Sequence, residues 1–316
     1  MSRNPSAPNV AICVVTYNSA PLIADLVDSL ERGAAGVTWS LVFADNASSD
    51  DTLSEIERHA PHAKVVRNGG NLGYAAGVNA AVRGAGPQDA YLILNADVRL
   101  DPGCVLTLFE TLTPEIGIVV PRLADAAGVR ISSLRRTPTV LRAWGDALFG
   151  AERVGRFSRL GEIVTDPKAY EREHATDWAE GSTQLVSSEC WEACGEWDES
   201  YFLYSEEAEY DLRIRDFGMM TWFQPRATAQ HLEGGSADNA RQWSLLVANR
   251  IKLFRATHGR ASTVAFWCAT AAREGSRSLL GKHTSRAAFR DLISPARLRE
   301  HRDPKWLADV KLRPPH

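Results

Sequence analysis

With 316 residues, 44% of them hydrophobic, the chain carries enough apolar material to bury a core, so disorder is not the default expectation. A net charge of −3 and the absence of a long block of like charges exclude the electrostatic footprint of a nucleic-acid binder. The five cysteines are an odd number without zinc-finger spacing, and no leader-like segment precedes Val10, so a reducing, cytoplasmic setting is expected.

In chain order, residues 10–16, 41–43, 64–66 and 91–94 are short apolar, β-branched runs separated by helix-length segments. This alternation predicts an α/β fold, a mainly parallel sheet with helices on both faces. Asn18 or Ser19 is expected to cap the first helix, with Pro21 in its first turn, and Ser48 or Ser49 the second, beginning near Asp50. Residues 128–176 have poor periodicity and read as an irregular excursion. Regular signals return at 178–182, and helices at 188–194 and 206–217 and a strand at 221–223 follow. Cys190 and Cys194 sit four apart on the first of those helices and are expected as buried small hydrophobes. The longest late apolar run, residues 263–272, is well short of the ~20 that span a bilayer.

Ligands of open α/β sheets bind beyond the carboxyl ends of the strands, and here each such end is polar. Thr16-Tyr17-Asn18 follows the first strand, Asp45-Asn46-Ala47-Ser48 the second, the segment from Asn71 through Gly73 to Asn79 the third, and Asn95-Ala96-Asp97 the fourth. Asp45 suits either the imide N–H of a pyrimidine base or a local turn. The small residues after Asn71 either bring backbone N–H groups to an anion or let a helix pack closely on the sheet. Asp97 offers the oxygen donor that Mg2+ or Mn2+ prefers, or else opens a turn. Glu206, Glu207 and Glu209 begin a helix behind the aromatic segment 201–204, which would shield a carboxylate and raise its pKa into the range of a general base. The competing reading is a favourable placement near the helix dipole. His231, in a segment running to Gly234 and Gly235, is a candidate second metal or diphosphate contact.

Together and in this order, these segments resemble the family 2 glycosyltransferases of the GT-A fold, and within them the bacterial rhamnosyltransferase-like group, over about residues 10–255. The resemblance implies an inverting transferase with a nucleotide-diphosphate sugar donor, dTDP-rhamnose first among candidates, and a hydroxyl acceptor on a glycan, lipid-linked or natural-product molecule. It implies that Thr16 and Asp45 hold the nucleotide, with Tyr17, Asn18, Asn71, Gly73, Asn79, Asn95 and Ala96 around the donor. Asp97, with His231, would bind the divalent metal. The general base falls on Glu207, where the family usually has Asp, and the family Asp-x-Asp is reduced to Asn95-x-Asp97. These departures motivate the alternative of an inactive sugar-nucleotide-binding protein, while a dehydrogenase would require G-x-G-x-x-G after the first strand, where Thr16-Tyr17-Asn18-Ser19-Ala20-Pro21 stands.

The implied organisation is a GT-A catalytic domain over 1–258, with a nucleotide-binding half at about 8–125 and an acceptor half at about 126–258, then a basic helical extension over 259–316. From residue 251 onward, fourteen Lys and Arg stand against five Asp and Glu. Phe266, Trp267, Leu279, Leu280 and Phe289 interleave with Arg273, Arg277, Lys282, Arg286 and Arg290, a pattern expected either to pack on the catalytic domain or to contact the inner membrane face peripherally. A homodimer is compatible with this reading.

Overall fold

The computed structural model describes residues 7–232, 239–294 and 296. Its first half runs β1 (Asn9–Thr16), α1 (Ala20–Gly33), β2 (Thr38–Asp45), α2 (Thr52–His59), β3 (Lys64–Arg67), α3 (Tyr74–Ala85) and β4 (Ala90–Asn95). All four strands are parallel, in the order β3-β2-β1-β4. The period-two arrangement of β1 supplies two cores. Val10, Ile12 and Val14 pack under α1 and α2 with Ile23, Leu26 and Ile56, while Ala11 and Cys13 face α3 on the other side. Gly77 lets α3 lie directly on the sheet, since a Cβ there would stand 2.6 Å from Val15 Cγ1. Helices thus cover both faces, as the alternation predicts.

The chain continues through β5 (Val98–Leu100), α4 (Cys104–Phe109), β6 (Ile116–Ala124), β7 (Leu134–Arg135), α5 (Val140–Phe149), α6 (Ala151–Val154), β8 (His174–Thr176), β9 (Trp178–Ala179) and β10 (Thr183–Ser187). It ends, among the described residues, with α7 (Ser188–Cys194), α8 (Glu206–Arg213), β11 (Met220–His231), α9 (Ala240–Thr257), α10 (Arg260–Leu279) and α11 (His283–Leu292). Beyond β4 the sheet becomes mixed: β10 lies antiparallel between β4 and β6, β11 pairs parallel with β6, and β5 and β8 flank β11 antiparallel.

Several local expectations change. The excursion at 128–176 contains α5, whose Thr139 cap accepts a hydrogen bond from Arg142 N, and which packs on a helix more than a hundred residues later. The strand expected at 221–223 continues, through a register shift, to His231, so this histidine ends a strand instead of sitting in a loop beyond it. The helix expected over 206–217 tightens to a 3-10 turn after Arg213. Ser48 and Ser49 do not cap α2, which starts after Asp51. They hydrogen-bond Asp45 and Asn18 and so join the loops following β1 and β2. Cys190 and Cys194 are buried and unbridged, and burial raises both thiols.

Candidate active site

A cavity of about 740 Å³ opens beyond the carboxyl ends of β1, β2 and β4. Tyr17, Asn18, Asn71, Gly73, Asn95, Ala96, Asp97, Glu207 and His231 all line it. Three sequence candidates do not. Asn79 is fully buried, and its amide accepts from Trp197 N at 2.9 Å and donates to Trp197 O at 3.0 Å, so it fastens α3 to the 197 segment and is unavailable to a donor. Thr16, also fully buried, donates its hydroxyl to Asp45 Oδ1 at 3.0 Å. Asp45 is 2% exposed and additionally accepts from Ser48 N at 3.0 Å, which places it behind the wall that Asn46 presents to the cavity.

The backbone around the cavity is strained. Asn18, Ala47, Tyr204 and Ser205 are the non-glycine residues with positive φ among those described, and three of them line the cavity while the fourth adjoins Asn46. Such conformations persist only where surrounding contacts hold them. Asn18 N donates to Ser48 Oγ at 2.9 Å, and Asn249 of α9 donates to Leu203 O and Tyr204 O at 3.0 and 3.1 Å. The second pair holds the turn that launches α8. Gly73 is required on two grounds. Its φ is +94°, and a Cβ would fall 2.4 Å from Phe202 O.

Three acidic residues begin α8, and the structure separates them. Glu209 does not line the cavity; it is bound to Arg213, Nε to Oε1 at 2.9 Å and Nη2 to Oε2 at 3.1 Å. Glu206 and Glu207 both line it. Burial, reinforced by Glu207, pushes the Glu206 carboxyl well above the usual range. Burial also lifts Glu207, to about 7, with Glu180 adding to the rise. Burial and then the Glu206, Asp97 and Glu207 carboxylates keep the Tyr74 phenol protonated, and its hydroxyl donates to Gly181 O at 3.3 Å.

Asp97 follows β4 and its carbonyl accepts from Leu232 N at 2.9 Å, which fixes it beside the end of β11. His231 Nε2 is 3.4 Å from Asp97 Oδ1, and Nδ1 is 2.8 Å from Glu180 Oε1. Burial opposes a charge on this imidazole, yet the two carboxylates raise it to about 10. Glu180 itself, despite the upward push of burial, is held below the usual carboxylate range by His231. Sequence reading missed Glu180: it falls inside a short regular signal, and only the tertiary contact just after β9 shows that it faces His231. The segment at Gly234 and Gly235 lies outside the described residues.

The far end of the cavity is built from elements distant in sequence. Arg250 of α9 pairs with Glu162, Arg273 of α10 with Asp146 of α5 at 3.1 Å and with Glu274 at 2.7 Å, and Trp243 Nε1 donates to Glu274 Oε2 at 2.9 Å.

Residues 11–154 match the family model described as Glycosyl transferase family 2. These residues form a glycosyl transferase family 2 domain, and the fold is GT-A. This glycosyltransferase is 26% identical over 234 residues to an N-acetylglucosaminyl-diphospho-decaprenol L-rhamnosyltransferase of Mycobacterium tuberculosis, covering 70% of this chain and 75% of the relative. It is 25% identical over 213 residues to a low-salt glycan biosynthesis hexosyltransferase of Haloferax volcanii, covering 66% of this chain and 62% of that one. The fold is shared with a mannosyltransferase from Pyrobaculum calidifontis solved in complex with GDP-Man and Mn2+, at a TM-score of 0.56 and 16% identity, over 97% of this chain and 87% of that one.

The donor set of the glycosyltransferase fits a hard divalent cation. Asp97 supplies a carboxylate, Asn95 Oδ1 is a buried acceptor without a hydrogen-bond partner in the structure, and His231 Nε2 faces Asp97. Among the described residues no group of three His, Cys, Asp or Glu side chains encloses a metal. A cation held here would take its remaining ligands from diphosphate and water, an open arrangement suited to Mg2+ or Mn2+.

Proposed function

We propose that this glycosyltransferase moves a sugar, L-rhamnose from dTDP-rhamnose as the first candidate, onto a hydroxyl of a lipid-linked glycan, with inversion at the anomeric carbon. The observation that carries this reading is the placement of Asp97 and Glu207 on walls of one cavity, with Glu207 raised by burial to about 7. The choice of rhamnose and of a lipid-linked acceptor is supported by the Mycobacterium tuberculosis relative, whose name specifies both.

Within this reading, residues of about 8–125 bind the donor, those of about 126–258 the acceptor, and the helices after 259 close the acceptor end. Asn18, Asn46 and Asn71 present polar groups to the nucleotide, and Asp45 shapes that wall through Ser48. Asp97 and Asn95, with His231 once its Nε2 has given up its proton, would hold the divalent cation, which when bound offsets the charge developing on the departing diphosphate. Glu207 removes the proton of the acceptor hydroxyl as its oxygen bonds the anomeric carbon and the bond to the diphosphate breaks. Attack and departure on opposite faces give inversion, and one carboxylate base suffices.

The test is a transfer assay with dTDP-rhamnose and Mn2+, preceded by a thermal-shift comparison of sugar nucleotides. Glu207→Gln is expected to lower kcat by about 10²-fold or more while donor affinity stays nearly constant. In the parent enzyme, kcat should rise through about pH 7 as Glu207 loses its proton. Undiminished turnover in Glu207→Gln, with the same loss appearing in Glu206→Gln, moves the base by one position.

A further inference from the structure

Two segments place bare apolar side chains among cations at one end of the molecule. At the end of α5 and just beyond α6, Leu148, Phe149 and Phe157 are 67%, 59% and 61% exposed. Arg153, Arg156 and Arg159 are exposed between and beside them, against the single acidic residue Glu152. At the turn from α10 to α11, Leu279 and Leu280 are 91% and 83% exposed, with exposed Lys282 and Arg286 following. No Asp or Glu occurs between Gly275 and Arg290.

Helix packing brings the two segments together. Ala143 of α5 packs with Phe266 and Ala269 of α10, and one turn later Asp146 pairs with Arg273 at 3.1 Å and Arg277 at 3.9 Å. The helices therefore run in the same sense and finish side by side, α5 at Phe149 and α10 at Leu279. The cavity extends to this end, for Asp146, Ala151 and Glu162 line it while bracketing the exposed segment in sequence.

We infer that this end is a membrane-docking face, whose apolar tips enter the boundary between headgroups and acyl chains of an anionic bilayer while its Arg and Lys meet the headgroups. The inference rests on the reading that the acceptor is lipid-linked. Separate apolar prominences interleaved with cations match the layered polarity of a bilayer surface, whereas a continuous apolar patch would match a protein partner. The charge is complementary to anionic lipid although the chain as a whole is at −3. An acceptor whose lipid stays in the bilayer could then reach the cavity without leaving the membrane. Within the described part of the basic C-terminal pattern, Phe266 is fully buried and Arg273 is tied to Asp146 and Glu274, so neither is available to lipid.

The test is flotation of the full chain with phosphatidylglycerol-containing vesicles and with pure phosphatidylcholine vesicles, at low and high salt. The parent protein is expected to float with the anionic vesicles at low salt and to be released by high salt. F149S/F157S and L279S/L280S should each lower partitioning about 10-fold, and R153E/R156E/R159E about 10²-fold, with unchanged melting curves. All three should retain transfer to a short-chain, water-soluble acceptor and lose transfer to acceptor embedded in vesicles. Failure of the parent protein to bind anionic vesicles, or undiminished binding by the variants, overturns the docking face. So does conversion of a dimer to a monomer by F149S/F157S, which would assign the face to a second copy. Vesicle binding without transfer to any hydroxyl acceptor leaves the face standing and overturns the transferase reading instead. Transfer to the water-soluble acceptor without vesicle binding does the reverse.

Discussion

Asp97, His231 and Glu180 form a row in which each charge depends on the next. A histidine whose Nδ1 is held by a carboxylate turns its Nε2 toward the opposite side, here toward Asp97, and such outer partners set ligand orientation at metal sites. Glu180→Gln keeps the size of the side chain but removes its charge. The expected outcome is Mn2+ binding weakened about 10-fold, read by electron paramagnetic resonance titration, with the fold intact. Asp97→Ala should abolish metal-dependent turnover with little change in melting temperature, because Asp97 follows the strand and lies outside the apolar core. Full activity of Asp97→Ala at controlled metal concentration removes the metal assignment.

At the scale of elements, the donor and acceptor walls meet through contacts that tolerate little change. Gly73→Ala adds a Cβ 2.4 Å from Phe202 O on a backbone with φ of +94°, and the same Phe202 O accepts the Tyr74 N–H at 2.7 Å. The start of α3 must shift, at a cost of about 1–3 kcal/mol in stability, and nucleotide affinity falls with it; urea unfolding and a thermal-shift titration check both. Asp146 of α5 is the shared partner of Arg250, Arg273 and Arg277. Asp146→Ala leaves three guanidiniums to share Glu162 and Glu274 and is expected to destabilise by about 1–3 kcal/mol, whereas a surface ion pair would contribute under about 1 kcal/mol. A melting temperature within a degree or so of the parent would show that α10 is held by its apolar contacts alone.

For the whole molecule, the acidic pair at the start of α8 couples stability to pH. Both Glu206 and Glu207 are raised in the folded protein, so the folded state keeps protons that the unfolded state has released. Their contribution is fully present below the ordinary carboxylate pKa and is lost as pH rises toward and through about 7. The Glu206→Gln/Glu207→Gln double variant should therefore melt above the parent at about pH 8, with the gap closing toward about pH 5. A gap independent of pH would mean that these carboxylates are ionised at no cost. The repeating unit of this fold was legible from sequence because local rules govern it: β-branched runs of period two alternate with helix-length segments, and the polar strand ends at Asn18, Asn71 and Asp97 all line the cavity. Tertiary structure decided the rest. Asn79 and Thr16 carry polar groups that their motifs could offer to a ligand, but neighbouring chain claims them. Glu209 is separated from Glu207 only by the direction in which successive side chains leave α8, and Arg213 fixes that direction. Glu180 meets His231, and α5 meets α10, through contacts between segments 51 and more than a hundred residues apart. A local pattern cannot encode which distant partner satisfies a buried charge; that depends on the packing which removes the charge from water.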